Sequence, residues 1–170
     1  AHEKAATAYE QLLALGERSD DITAIEDALE GLARLAEERG DLAAALRLLR
    51  RRLPYLPPDS LTARSTLRLR LCDLALALGD VAEARSQLLA ILSEQPQQRS
   101  ALVKLLDVYR RGELRPFEIQ ESLSIIDKLL DLAMTPGERA EWLFARGELY
   151  ERSLHDLVRA RADYERAIGQ

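Results

Sequence analysis

Apolar residues recur three and four positions apart along almost the whole chain, the period of an amphipathic helix, and Gly, Pro or short polar runs interrupt them. The pattern is clearest from Leu67 to Gln98, LRLRLCDLALALGDVAEARSQLLAILSEQPQQ. It predicts two helices joined by a tight Gly79-Asp80 turn and stopped at Pro96, which has no amide hydrogen with which to continue a helix. Most of the remaining sequence reads as weaker copies of this stretch.

In chain order, a first helix is predicted near Glu3 to Leu15, with Ala5, Ala8, Tyr9, Leu12 and Leu13 on one face and Gly16 as its C-terminal cap. Ser19-Asp20-Asp21 caps a second, Ile22 to Arg39, whose stripe is Ile25, Leu29, Leu32, Ala33, Leu35 and Ala36. Gly40-Asp41 turns the chain into a return helix, Leu42 to Leu53, ended by Pro54, Pro57 and Pro58. Asp59 or Ser60 starts the next, which runs to Leu78, and Val81 to Glu94 follows the turn. Arg99 to Arg111 is a sixth helix, with Leu102, Leu105, Leu106 and Tyr109 inward, Gly112 at its end and a looser connection over Glu113 to Arg115. Pro116 opens a seventh to Ala133, carrying Ile119, Leu123, Ile126, Leu129 and Leu130. Thr135-Pro136-Gly137-Glu138 is the best cap, since Thr135 can accept an amide bond and Glu138 can reach back. It opens a helix to about Arg152. Ser153 to Asp156 turn the chain, and Leu157 to Ile168 close it. The prediction is nine helices and no strand, with Gly31 and Gly147 as glycines inside helices.

Composition narrows the function classes. At 170 residues and 47% apolar, the chain has the length of one domain and enough apolar surface for a core. Asn is absent and Arg far outnumbers Lys, which suits a GC-rich, bacterial coding sequence as well as any functional cause. The net charge of −5 is spread among interspersed acids and bases, so nothing draws the chain to phosphate polyanions in general. The single Cys72 excludes an internal disulfide framework and a cysteine-rich metal site. It falls at a small, close-packing position and reads as buried structure. No apolar run is long enough to span a bilayer. The chain has no initiator Met and opens inside a helical pattern, which reads as an excised or processed piece. Missing targeting signals then carry little weight, and the cytoplasm is the default expectation.

No catalytic constellation, cofactor loop or metal-ligand spacing is found. His2 is terminal, His155 lies in a turn, and the carboxylates of exposed helix faces read as solvating charge. Arg47, Arg50, Arg51 and Arg52 form the one basic run, with Arg64, Arg68 and Arg70 downstream. Pairing with nearby Glu is the plainer reading and an anionic-partner patch the sharper one. No interleaved aromatics suggest base stacking. Tyr9, Tyr109, Tyr150 and Tyr164 sit at positions that fill gaps between helices, whereas Trp142 fits either packing or an interface anchor.

The turns Gly40-Asp41 and Gly79-Asp80 stand 39 residues apart in matching register. Leu32, Ala33 and Ala36 answer to Leu71, Cys72 and Ala75, and Ala45, Leu49 and Pro57 answer to Ala84, Leu88 and Pro96. The last pair adds Gly147, Tyr150, Ala160, Tyr164 and Ala167. In this the chain resembles the tetratricopeptide repeat family, over nearly its whole length. The resemblance implies an all-α, right-handed α-α superhelix of helical hairpins. It divides the chain into the second helix of a truncated repeat (1–19), repeats at 20–58 and 59–98, a divergent third at 99–134 and a fourth at 135–170. Two departures stand out: Arg68 and Arg146 occupy positions usually held by large apolar residues. Another helical-hairpin solenoid of HEAT type, or an irregular helical domain, is the competing reading.

The resemblance implies a protein or peptide partner in a concave groove lined by first helices. That geometry marks Glu30 and Arg34, Leu69 and Asp73, Val103 and Asp107, and Phe144 and Glu148, with Arg70 and Lys104 as close neighbours. The co-chaperone clade that clamps a C-terminal carboxylate with Lys and Asn is disfavoured, because the marked positions carry neither and the chain has no Asn. A mixed groove of this kind suits an amphipathic helix or extended peptide. The expectation is therefore a non-enzymatic protein-binding scaffold without nucleic acid, cofactor, metal or membrane insertion. The alternative is a structural spacer that self-associates through exposed terminal helices.

Overall fold

Residues 2–111 and 114–169 are described by a computed structural model. Among them are nine α-helices, one 3-10 turn and no strand. The helices are α1 (His2–Ser19), α2 (Ile22–Glu38), α3 (Leu42–Arg52), α4 (Leu61–Ala77), α5 (Val81–Glu94), α6 (Arg99–Arg110), α7 (Pro116–Asp131), α8 (Pro136–Arg152) and α9 (Leu157–Ile168). They group into two compact units, Ala1–Glu94 and Gln95–Gln170. The predicted helix end at Gly112 and the start of the loose connection at Glu113 lie outside the described residues.

One turn design recurs four times. A residue in the left-handed region is followed by an Asp that caps the next helix. Gly40 and Gly79 have φ of 76° and 78°, where a side chain would strain the backbone. The following Asp amide bonds back over the helix end, Asp41 to Ala36 at 2.9 Å and Asp80 to Ala75 at 2.8 Å. The same Asp then accepts from the new helix, Ala44 N at 2.9 Å and Glu83 N at 3.0 Å. Asp20 (φ 58°) with Asp21 and His155 (φ 52°) with Asp156 repeat the device without glycine.

Several predicted boundaries move, each for a local reason. Gly16 is not a cap. It is buried inside α1, and a β-carbon there would lie 3.0 Å from Ile25 Cγ1, so its smallness serves the crossing of α2. The left-handed position falls to Asp20 instead. α3 stops at Arg52, and Leu53–Tyr55 form a 3-10 turn that accommodates Pro54. α4 begins at Leu61 with Ser60 as its N-cap, one of the two predicted starts. α7 ends at Asp131, two residues before Ala133. Thr135 caps α8 as predicted, accepting from Glu138 N at 3.2 Å, while Glu138 reaches back to Met134 N at 2.9 Å. That bond and the Arg99 guanidinium hold the Glu138 carboxyl below its usual range, the Arg99 contact contributing most.

In the first unit α2, α3 and α4 share a core of Ala33, Ala36, Ala45, Leu46, Leu49, Leu67 and Leu71. Leu13, Ile25, Ala28 and Leu29 tie α1 to α2. Cys72 is fully buried. In the second unit Leu102, Leu105, Leu106, Ile126 and Leu129 are enclosed, and Leu143, Leu149 and Ala160 bury α8 and α9. The predicted inward stripes of α6 and α7 are buried, apart from Ile119, which is half-buried.

The two charged departures are answered in kind. Arg68 donates from Nη1 to Gln87 Oε1 on α5 at 3.1 Å. Arg146 grips Asp163 on α9 through Nε and Nη2 at 2.7 and 2.8 Å, and Nη1 reaches Asp127 on α7 at 2.5 Å. In both hairpins a first-helix Arg is matched by a polar residue on its second helix.

Candidate partner-binding surface

The residues marked for a groove and their two neighbours fall on both units. On the first, α2 carries Glu30 and Arg34, and α4 carries Leu69, Arg70 and Asp73. Glu30 and Arg70 meet directly, with Arg70 Nη1 donating to Glu30 Oε1 at 2.6 Å. Arg70 also grips Glu37 with two bonds of 2.9 and 2.8 Å, and Arg52 Nη1 donates to Glu30 Oε2 at 2.7 Å. Two-pronged guanidinium–carboxylate contacts are the strong form of this bond, and they raise the Arg70 pKa further above its ordinary value. Leu69 is half-buried; Asp73 and Arg34 are exposed, and Arg34 forms no ion pair among the described residues. Leu69 is therefore the apolar contact this face offers, between charges that largely answer one another.

Three of the four arginines of the basic run behave as the plainer reading has it, and Arg47 is exposed. Arg50 pairs with Glu83 at 2.8 Å, Arg51 with Glu17, and Arg52 with Glu30. Arg64 reaches Glu94 at 3.4 Å. A phosphate-bearing partner would have to displace carboxylates already in place.

On the second unit, α6 carries Val103 and Lys104, both half-buried, and the exposed Asp107, which pairs with Arg111 at 3.1 Å. α8 carries Phe144 and Glu148, and the structure brings these two together as walls of one cavity of about 610 Å³. That volume lies within the range of small-molecule and side-chain pockets. Phe144 is 53% exposed, a large apolar ring standing half in solvent. Its ring centroid lies 5.2 Å from that of Tyr164 on α9, tilted by 42°. Glu148 is held by Arg152 at 3.2 Å.

Further walls include Arg110 and Ile168, which the sequence pattern does not mark, and Trp142 and Tyr164, which it reads as packing or anchor and as a gap filler. Trp142 is half-buried and lines the cavity, so it combines packing with the place of an interface anchor. Its buried Nε1 has no acceptor among the described residues. Tyr164, predicted to fill a gap between helices, does so and is a cavity wall as well. Its ring lies against the bare backbone of Gly147, where a β-carbon would come within 2.6 Å of Tyr164 Cε1. Its hydroxyl donates to Glu151 Oε2 at 2.7 Å. Burial and that carboxylate push the phenol pKa up to about 12, so the hydroxyl remains a donor at any physiological pH. The small residue at 147 is the sequence signal that an aromatic ring lies there. Ile168, near the chain end, offers none.

No protein-family model matches the sequence, and no curated protein is significantly similar to it. Solved structures are similar along almost its full length. YrrB, described as a TPR protein with an unusual peptide-binding site, superposes with a TM-score of 0.63 at 17% identity, over 99% of this chain and 77% of its own. MamA gives 0.62 at 17% identity, over 99% and 87%. The nearly identical TPR-like repeats of a Podosopora anserina protein give 0.60 at 16%, over 99% and 86%. The fold is the tetratricopeptide fold. At this identity the likeness extends to architecture alone. No described helix is long and apolar enough to cross a membrane.

Proposed function

We propose that this chain is a non-enzymatic scaffold that holds a peptide or helix of a partner protein against the faces of its first helices. The cavity beside Phe144 receives an apolar or aromatic anchor. The observation that carries this reading is the half-exposed Phe144 ring at the mouth of a cavity walled by Trp142 and Tyr164. Apolar anchors in such pockets supply most of the affinity of an interface, and surrounding charges fix register. Within the second unit Val103 adds an apolar contact, with Asp107 and Glu148 setting polarity; the first unit offers Leu69 beside Asp73 on a face of its own. A stable complex needs on the order of 1,200–2,000 Å² of total burial, which several helices can provide. The peptide-binding site described for YrrB, on a similar fold, supports the same use of this one.

Selection from a random peptide library displayed on phage tests the proposal, because it requires no identified partner. Peptides carrying an aromatic or large aliphatic residue are expected to be enriched. Phe144→Asp should weaken them by about a hundredfold, as loss of a central anchor does. Phe144→Asp combined with Leu69→Asp should abolish binding, while helicity stays near wild type. Peptides that bind the double variant at normal affinity would place the site elsewhere.

A further inference from the structure

We propose that the outer face of α9 is a homotypic docking surface that pairs antiparallel with the same face of a second copy of this chain. Val158, Arg161, Glu165 and Ile168 recur at intervals of three, four and three residues, so they form one stripe along the helix. The stripe is open: Val158 is 81% and Ile168 88% exposed. Leu157 beside it is exposed too, and the opposite face turns inward through Ala160 and Asp163. Exposed apolar residues gathered on one helix face, rather than scattered singly, mark an interaction surface.

The order of residues selects the occupant. From N- to C-terminus the stripe reads apolar, positive, negative, apolar. A parallel copy would set Arg on Arg and Glu on Glu. An antiparallel copy related by a two-fold axis near Asp163 sets Val158 on the partner's Ile168 and Arg161 on the partner's Glu165, and the reverse. The stripe is therefore complementary to itself in one orientation only, and a two-fold contact closes at a dimer. Within one copy Arg161 Nε already donates to Glu165 Oε1 at 2.7 Å, so both charges stand on the stripe, oriented along it. Two copies would join these pairs into a four-membered network flanked by an apolar layer at each end.

A single pair of helices of this length buries on the order of 1,000 Å² in total, below the usual size for a stable complex, so the dimer is weak and depends on concentration. The stripe shares Ile168 with the wall of the proposed partner cavity, so the two surfaces meet at that residue. Val158 is not a cavity residue and Phe144 is not on the stripe, so substitutions at these two positions test the two proposals separately.

Sedimentation equilibrium of the whole chain, from roughly 10 μM to 1 mM, reads the association directly. The expected result is a mass that rises from 19.1 kDa toward twice that value. Val158→Asp should hold the chain monomeric with an unchanged circular dichroism spectrum. Arg161→Glu and Glu165→Arg, each alone, set like charges face to face and should weaken self-association by about tenfold or more. Mixed one to one, these two single variants are complementary again and should form a heterodimer about as tight as the wild-type homodimer. A wild-type chain that stays monomeric throughout overturns the proposal. So does association that Val158→Asp leaves intact, or a mixture that associates no better than its components, which would point to a different occupant.

Discussion

Arg146→Ala is expected to lower the free energy of unfolding by about 3–5 kcal/mol, the cost of stranding one member of a buried ion pair. Asp163 is 3% exposed and receives two of its bonds from Arg146. Without the guanidinium its carboxyl loses both of those bonds in a site that water scarcely reaches. Asp127, the third partner, is largely exposed and regains water at little loss. The pair itself is a different matter. Replacing both members at once, Arg146→Leu with Asp163→Ala, removes the charges together and fills the space with the kind of side chain that helical repeats usually place there. That double variant should fall within about 1 kcal/mol of wild type, or above it. Urea unfolding followed by circular dichroism separates the cases. If the single and double variants lose the same stability, the pair contributes through packing rather than charge.

Gly147→Val is the second large effect, a loss of about 2–3 kcal/mol from overpacking, in spite of the better helix propensity of Val. Tyr164 has little room to yield. Phe144 packs on one side of its ring, the α8 backbone lies beneath it, and Glu151 holds its hydroxyl. The cause is checked by a double-mutant cycle. With Tyr164→Ala in place, Gly147→Val should be neutral or mildly stabilising, because the added methyls enter the space the ring left. A Gly147→Val cost that persists in that background would mean the glycine is needed for its backbone instead.

How much of the molecule is legible in its sequence follows the range of each interaction. Helix count, pairing and most boundaries are governed by residues three to seven apart, and the apolar period exposes them directly. The turns are half legible. Gly40-Asp41 and Gly79-Asp80 announce themselves, but Asp20-Asp21 and His155-Asp156 make the same turn with a side chain in the left-handed region, so the glycine signal is missing while the capping Asp remains. Gly16 misleads for the opposite reason: a glycine near a helix end looks like a cap, and only the crossing of α2 shows that its role is to be small. Arg68 and Arg146 read as anomalies because their partners, Gln87 and Asp163, lie 19 and 17 residues away across a hairpin. The cavity is least legible. Phe144 and Glu148 are marked through the resemblance, but Arg110, Trp142 and Ile168 join them only through the packing of three helices.

The bonds around Arg70 bear on kinetics. Glu30, Glu37, Arg52 and Arg70 sum to no net charge and are bonded to one another. Beyond a Debye length of about 8–10 Å such a cluster casts almost no field into solution. A partner approaching this part of the molecule meets no long-range pull and no barrier. Encounter then proceeds at the unsteered rate, on the order of 10⁵–10⁶ M⁻¹ s⁻¹, nearly indifferent to ionic strength. Selectivity on this face rests on how long a partner stays rather than how fast it arrives.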